Sequence, residues 1–341
     1  MAHAIARHAL PEYAHRCSPK KFTQHQLFAC LVLKIFYQLD YRGVVALLED
    51  SQDLREIIEL HVVPHYTTRQ KAFDRLLVSK RAQALLDATV TKARCARLGL
   101  RKGLCAAIDG SGFEAHHISH YFVRRRAKGS KSLQKTSYRC YPSIGTVVDI
   151  DTHVILSVVP GRGPGPDINH LIKAVEEARA RVPIGTLLAD AGYDAEWSHA
   201  FLREHLGIRS IIPARIGRPT AKLPSSPWRR LMATRFNRKR YGQRWQVETV
   251  YSMIKRRLGE SVAAKGYWRQ CRALMLKAIA HNILILRWGI EVFYRAGPTD
   301  FTASAFAFRN RRRGAARISR GGRGMPASYP RRAAPVIRNQ L

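Results

Sequence analysis

The stretch YGQRWQVETVYSMIK, residues 241–255, has the residue spacing of an amphipathic helix. At about 100° per residue, four polar residues fall within an arc of roughly 60°: Tyr241, Arg244, Glu248 and Lys255. The apolar residues that occupy the neighbouring arc are Val247, Val250, Ile254 and Leu258. The pattern predicts a helix that buries one side and presents a carboxylate flanked by two cations and a phenol. Taken alone, it also fits an ordinary amphipathic helix with a charged outer face.

Two apolar runs upstream of this helix each end in an aspartate. LCAAID ends at Asp109 and GTLLAD ends at Asp190, and both predict buried strands. Between them, SIGTVVDID and HVILSVVPG predict a hairpin, GRGPGP a linker, and residues 168–182 a helix. If the first and fourth strands are neighbours, Asp109 and Asp190 lie side by side, and the helix that crosses this edge adds Glu248. We therefore expect an α/β fold with a mixed sheet flanked by helices.

Three clustered carboxylates repel one another unless cations lie between them. Two Mg²⁺ or Mn²⁺ ions about 3.5–4 Å apart would satisfy such a cluster. The ions would activate water on one side of a phosphodiester and stabilise the leaving oxygen on the other. The pattern therefore favours phosphoryl transfer.

The charge of the chain points to a polyanionic partner. Lys and Arg number 59 against 24 Asp and Glu, which gives a net charge of +35. Nucleic acid is the leading candidate. A membrane surface is the alternative, but no apolar run approaches the roughly 18 residues of a membrane span, and the N-terminus lacks the apolar core of a signal peptide. We expect a protein of the cytoplasm.

The remaining pattern divides the chain into four parts. Residues 1–21 are short, basic and irregular, and we expect weak order there. Residues 22–100 predict a helical bundle, which is either a scaffold or dimerisation domain or a DNA-end-binding domain of helix-turn-helix type. Residues 101–295 hold the predicted sheet. Residues 296–341 are rich in arginine and predict a disordered tail.

The segments AIDGSG, LLADAGYD and YGQRWQVETVYSMIK resemble the three active-site blocks of DDE-type insertion-sequence transposases of bacteria and archaea. The third block also matches the pattern Tyr-x2-Arg-x3-Glu-x6-Lys of that group. The resemblance covers residues 22–290. It implies a ribonuclease-H-like fold of the integrase superfamily preceded by an all-helical N-terminal domain, and a homodimer that holds two DNA ends in the nucleoid of a prokaryote. It also implies two Mg²⁺ or Mn²⁺ ions and three ligands: Asp109, Asp190 and Glu248.

Asp194 is the rival for the second ligand, but the family pattern favours Asp190, which directly ends its strand. We expect Asp194 to cap the following helix. The distance along the chain between Asp190 and Glu248 is too short for the large β-rich insertion that some relatives carry. A route through a DNA hairpin that needs this insertion is therefore in doubt.

Several side chains are candidates for DNA contacts. Arg244 and Lys255 lie beside the predicted ligand Glu248, where cations can hold a phosphate. Tyr241 would stack on a displaced base or donate to a phosphate, or it is simply an aromatic residue at a helix start. We expect Trp245 to pack against the protein. Non-specific backbone contacts are expected from Arg256 and Arg257, and from a basic segment that contains Arg124, Arg125 and Arg126, which is otherwise a solvated loop.

The sequence therefore predicts a transposase that binds double-stranded DNA at terminal inverted repeats. It would nick the element's ends and transfer the freed 3′-hydroxyl into target DNA. A nuclease of the same fold without strand transfer is one alternative. A DNA-binding protein whose catalysis has decayed is the other.

Overall fold

The computed structural model describes residues 1–96, 98–100, 102–115, 141–214 and 223–296. Six helices open the chain: α1 (Ala2–Ala9), α2 (Gln24–Phe36), α3 (Tyr41–Asp50), α4 (Gln52–Ile57), α5 (Tyr66–Leu76) and α6 (Ser79–Cys95). α2 begins with a capping box, in which Thr23 and Gln26 each bond the other's backbone N–H. One core cluster of this region includes Cys30 of α2 and Val44 and Leu48 of α3.

The expected weak order of residues 1–21 is wrong for the first helix. α1 buries Ile5 and Ala6 and packs against α2 and α6. Its pattern was missed because so short a run offers few apolar positions. Tertiary packing of an apolar side, rather than helix propensity, stabilises such a short helix.

The predicted mixed sheet is present. Its strands are β1 (Leu104–Gly112), β3 (Tyr141–Asp149), β4 (Ile155–Gly163), β5 (Ile184–Leu188) and β6 (Arg209–Ile211). Their order is β4-β3-β1-β5-β6, with β4, β3 and β1 antiparallel and β1, β5 and β6 parallel. A second, two-stranded parallel sheet joins β2 (Glu114–Ala115) to β7 (Ser261–Val262). β3 and β4 form the predicted hairpin, but β4 runs into the stretch that we interpreted as a linker.

Helices cover the sheet. α7 (Leu171–Arg181) follows a 3₁₀ turn (Asp167–His170), and α8 (Glu196–Ala200) follows another (Ala191–Tyr193) and continues as a π-helical turn (Phe201–His205). The remaining helices are α9 (Pro227–Thr234), α10 (Arg238–Tyr241), α11 (Trp245–Leu258) and α12 (Tyr267–Ala296). Glu196 starts α9 by accepting hydrogen bonds from the backbone N–H groups of Trp228 and Arg229.

α12 is a long helix whose buried residues are mostly apolar. Its buried Asn282 accepts a hydrogen bond from the backbone N–H of Ile155 and donates to the carbonyl of the same residue. These two bonds satisfy backbone groups of β4, which is the edge strand of the sheet.

The N-terminal helices and the sheet belong to one compact unit, Met1–Glu291. Asp74 on α5 pairs with Arg269 and Arg272 on α12, and Arg181 on α7 pairs with Asp87 on α6. The predicted boundaries at residues 21, 100 and 295 stay predictions, and the arginine-rich tail beyond residue 296 lies outside the described residues. None of the helices in the described ranges is long and apolar enough to cross a membrane.

Candidate functional site

The pairing of β1 with β5 brings two of the predicted carboxylates to one edge of the sheet. The strands are parallel, and Ala107 lies opposite Leu188. Two residues further along the chain from this last pair are Asp109 and Asp190. Asp109 is still within β1, where it pairs with Thr146 of β3, and Asp190 follows the end of β5, so the two aspartates lie next to each other where the β1–β5 pairing ends. The predicted adjacency of the first and fourth strands is confirmed.

The carboxyl group of Asp109 is mostly buried. Its Oδ1 accepts a hydrogen bond of 2.9 Å from the backbone N–H of Gly110, and its Oδ2 lies 3.2 Å from Nη1 of Arg244. Burial raises the pKa of Asp109 to about 6, and the charges of Asp190 and Asp167 add to the rise, whereas the hydrogen bond from Gly110 and the Arg244 cation oppose it. A group of like charges is therefore concentrated here, and a cation would relieve their repulsion.

Asp190 begins the 3₁₀ turn that follows β5. Its Oδ1 accepts a hydrogen bond of 2.8 Å from the backbone N–H of Gly192, which fixes the carboxylate at the strand end. Tyr193 follows three residues later in the chain, and its hydroxyl is buried and has no hydrogen-bond partner among the described residues. Burial raises the pKa of Tyr193, and the charges of Tyr251, Asp167, Asp109 and Asp190 add to the rise. A buried, unsatisfied donor thus lies close to the carboxylates.

Glu248 lies in the first turn of α11 and is exposed. Arg244 connects it to the sheet edge, because Nη2 of Arg244 donates to Glu248 while Nη1 donates to Asp109. One guanidinium therefore bridges two of the three predicted ligands. Within the described ranges, no three or more His, Cys, Asp and Glu side chains are grouped so that they could hold a metal ion.

The helix that carries Glu248 starts later than the sequence pattern predicts. α11 begins at Trp245, and residues 242–244 form a turn after α10. Tyr241 ends α10, and its ring centroid lies 5.0 Å from that of Phe236. Gly242 is a poor helix former and interrupts the regular run. Tyr241 and Arg244 thus lie outside α11. The predicted buried side of α11 is confirmed, since Val247, Val250, Ile254 and Leu258 are all buried.

The other predicted DNA contacts differ in their surroundings. Lys255 Nζ lies 5.3 Å from the ring centroid of Phe113, and the guanidinium of Arg257 lies 4.2 Å from the ring of Trp288. Arg256 is exposed. The three consecutive arginines of the basic segment lie outside the described residues: Arg124, Arg125 and Arg126.

Two expectations about neighbouring residues are wrong. The side chain of Asp194 does not cap α8; it is fully buried and pairs with Arg229 at 3.0 Å, because α9 packs on α8. Trp245 was expected to pack, but 47% of the residue is exposed, since it starts α11 on the side away from Val247 and Val250.

Tyr251 was missed by the sequence analysis. Its hydroxyl donates to the backbone carbonyl of Asp109 at 2.7 Å and accepts from the hydroxyl of Thr146 at 2.8 Å. These bonds fix α11 to β1 and β3 at the level of the carboxylates. Tyr251 follows Glu248 by three residues and therefore faces the same part of the sheet edge, which is the signal that could have identified it.

The five-stranded mixed sheet, with carboxylates at the end of its central parallel pair, defines a ribonuclease-H-like domain. Residues 101–283, more than half of the chain, match the transposase DDE domain family. The chain therefore belongs to the transposases of the DDE type, as the sequence resemblance implies. A search of curated proteins found no match.

Proposed function

We propose that this chain is a metal-dependent transposase that nicks DNA at the ends of a mobile element and joins the freed 3′-hydroxyl to target DNA. Asp109, Asp190 and Glu248 are its proposed catalytic residues and metal ligands. The observation that carries the proposal is the parallel pairing of β1 with β5, which ends in two adjacent aspartates within reach of the helix that holds Glu248. Both steps are in-line displacements at phosphorus, so one site can perform both.

The donor set fits Mg²⁺ or Mn²⁺. All three proposed ligands are carboxylates, which are the hard oxygen ligands that these ions prefer. The buried hydroxyl of Tyr193 has no hydrogen-bond partner among the described residues, and the charges of Asp109 and Asp190 act on it. When bound, two such ions lower the pKa of an attacking water and stabilise the leaving oxygen.

Arg244 has a proposed double role in this site. In the structure its guanidinium neutralises Asp109 and Glu248. With the carboxylates neutralised by bound cations, the same planar group would be free to grip a DNA phosphate in a bidentate manner. Arg244 would therefore hold the carboxylates in the absence of metal and DNA, and would position the phosphate once both are bound.

The remaining DNA contacts are proposed from charge and position. Tyr241 and Lys255 flank Glu248 along the chain, and Arg256 adds an exposed cation on the last turn of α11. Arg257 and the arginines at 124–126 would add non-specific backbone contacts. We assign recognition of the terminal inverted repeats to the helices of residues 22–100, and propose a homodimer that holds two ends on chromosomal DNA in a prokaryotic cytoplasm.

The experiment that tests the proposal separates joining from cutting. Labelled DNA that carries the inverted repeat flanking the gene is supplied in three forms, together with target plasmid and Mg²⁺. One form is uncut, and the other two are already cleaved and end in either a 3′-hydroxyl or a 3′-deoxy terminus. We expect joined products from the 3′-hydroxyl end and none from the 3′-deoxy end. Cleavage of uncut DNA without any joining would mean a nuclease, and binding with neither reaction would mean a DNA-binding protein without catalysis.

A further inference from the structure

The first turn of α12 exposes an aromatic ring to solvent. Trp268 is 72% exposed, and its ring centroid lies 5.0 Å from that of the partly buried Tyr267. Gly266, with a φ of +81°, turns the chain into the helix just before them. A tryptophan ring left in water adds little to the hydrophobic stabilisation of the fold, so it is available for contact with a partner.

This turn lies at the same end of the sheet as Asp109. β1 and β4 run in the same direction, because each is antiparallel to β3. α12 contacts the start of β4 through Asn282, which accepts a hydrogen bond from the backbone N–H of Ile155. Near the other end of β4, Arg162 lies against the ring of Tyr267. α12 therefore runs antiparallel to β4, and its first turn is at the end of the sheet that carries Asp109.

Arg162 also lies on the same face of the sheet as Asp109. Asp109 lies opposite Thr146 on β3, and Thr146 lies opposite Val158 on β4. Arg162 is four residues beyond Val158, and residues an even number apart along a strand share a face. At about 3.4 Å per residue and about 4.8 Å per strand, this register corresponds to roughly 16 Å between the Cα atoms of Asp109 and Arg162.

Cations lie next to the two rings of α12. The guanidinium of Arg162 is 5.1 Å from the ring centroid of Tyr267, and Lys265 is exposed just before the helix. Neither Arg162 nor Lys265 forms an ion pair with another described residue. Proteins bind unpaired nucleotides with this combination, because cations attract the phosphates while the bases stack on exposed rings.

We propose that Trp268, Tyr267 and Arg162 form a stacking surface for unpaired DNA bases next to the cleavage site. Trp268 stacks on a base, and Arg162, held against the ring of Tyr267, contacts a neighbouring phosphate. This inference rests on the proposed function, because the DNA strand cut or joined at Asp109 supplies the bases. At about 3.4 Å per nucleotide along one strand, the separation from Asp109 corresponds to about five nucleotides.

Fluorescence of 2-aminopurine tests the proposal without a cleavage readout, because a ring stacked on this base quenches its emission. The full chain is titrated, without divalent ions, into two duplexes that carry the inverted repeat. One duplex is fully paired, and the other ends in a single-stranded extension of about five nucleotides that contains 2-aminopurine, made in turn on each strand. Fluorescence anisotropy measures the affinity for both.

We expect the native chain to quench the extension and Trp268→Ala to lose most of this quenching. Trp268→Ala should also bind the extended duplex about tenfold more weakly, as loss of one base–aromatic stack predicts, and the fully paired duplex as tightly as the native chain. Trp268→Phe keeps a ring and should retain part of the quenching. Trp197→Ala is the matched control, since Trp197 is also exposed but lies on α8, which follows β5.

A second variant tests the cation. Arg162→Gln should make the salt dependence of binding to the extended duplex shallower by about 0.7 in the logarithmic slope, as loss of one contact to a single strand predicts. The control is Arg179→Gln, which removes an exposed cation in the last turn of α7, just before the start of β5 and thus at the other end of the sheet. Thermal unfolding of each variant confirms that it folds.

The outcomes separate this inference from the proposed function. Equal quenching by the native chain and Trp268→Ala would overturn the stacking surface, and joining of DNA ends by the native chain would still support the proposed function. Equal weakening on the paired and extended duplexes would also overturn it, because Trp268 would then contact duplex DNA. A dimer that dissociates in Trp268→Ala, measured by analytical ultracentrifugation, would assign the ring to a second copy of the chain instead. No binding of either duplex by the native chain would contradict both proposals.

Discussion

At the scale of single residues, the position of the candidate site depends on Tyr251. Asp109 lies on β1 and Glu248 lies on α11, far apart in the sequence. The hydroxyl of Tyr251, which is also on α11, joins the two elements by donating a hydrogen bond to the backbone carbonyl of Asp109. Proposed ligands must be held to within about half an ångström for efficient chemistry. Tyr251, a buried residue, thus positions the residues that are proposed to act on DNA.

We predict that Tyr251→Phe slows DNA cleavage several-fold and lowers the free energy of unfolding by about 1 kcal/mol, because one buried hydrogen-bonding group is removed. The ring and its packing remain. Steady-state cleavage and urea unfolding measure the two effects. Tyr37→Phe is the control, since Tyr37 is 53% exposed, and native cleavage in Tyr251→Phe would show that this contact is not needed.

Two buried titratable groups away from the site, Asp149 and His281, make stability depend on pH in opposite directions. Burial raises the pKa of Asp149 from 3.8 to about 6, although hydrogen bonds from Thr152 oppose the rise. The folded protein therefore holds this proton more tightly than the unfolded chain, and the resulting stabilisation is lost as pH rises through about 6. Burial lowers the pKa of His281 to about 4, so its stabilising effect is instead lost as pH falls below 6.5.

The variant Asp149→Asn isolates the first effect. We predict that the difference in unfolding free energy, variant minus native, increases by up to about 3 kcal/mol as pH rises from about 4 to above 6. His281 contributes equally to the native protein and to the variant, so its effect cancels in this difference. Urea unfolding at several pH values measures this difference, and a difference that does not change with pH would contradict the assignment.

At the scale of elements, the parallel pair β1 and β5 brings the two aspartates together. The two strands approach each other closely near their starts, and this depends on Gly185. A Cβ at Gly185 would lie 2.6 Å from the backbone oxygen of Gly103. A backbone oxygen cannot rotate away as a side chain does. The pair must therefore separate or shift if this glycine gains a side chain.

We predict that Gly185→Ala lowers the free energy of unfolding by about 1–3 kcal/mol, as overpacking does in other cores. Weaker DNA cleavage should accompany the change because the strand ends move. The control is Gly165→Ala, where the nearest atom to an added Cβ is 3.8 Å away. It is expected to stay within about 0.5 kcal/mol of the native protein. Equal stability of the two variants would show that the strands tolerate the added methyl group.

Much of this architecture could be predicted from the sequence because it depends on local patterns. Apolar runs that end in aspartate predicted β1 and β5, and the hairpin turn predicted β3 and β4. Contacts between distant residues could not be predicted in this way. The hydrogen bond from Tyr251 to Asp109 and the contact of Arg162 with Tyr267 both depend on how the helices pack on the sheet.

The errors have a similar cause. Aspartate is a residue type that often caps helices, which is why Asp194 was expected to do so. The packing of α9 instead brings Arg229 to Asp194 as a stronger partner. α1 and α9 lie in stretches with weak patterns, where contacts made after folding decide the structure. The continuous helix expected from residue 241 breaks at a single glycine, where a periodicity argument gives no warning.

At the scale of the whole molecule, a net charge of +35 favours binding to a polyanion such as DNA. Each phosphate that a cation contacts releases bound counterions, so the logarithm of the binding constant falls with the logarithm of salt by about 0.9 per contact. We predict a slope steeper than about −5 for the full chain on double-stranded DNA. Fluorescence anisotropy across a range of KCl concentrations measures it, and a slope near −1 would count against an extended phosphate-binding surface.

The central proposal is that Glu248 on α11 acts together with Asp109 and Asp190 in cutting DNA. The most direct measurement is cleavage of labelled inverted-repeat DNA in Mg²⁺ by the native chain, by Glu248→Gln, and by Glu260→Gln, which removes an exposed carboxylate just beyond the same helix. The account predicts cleavage by the native chain and by Glu260→Gln, and DNA binding without cleavage by Glu248→Gln. Native cleavage by Glu248→Gln would contradict it.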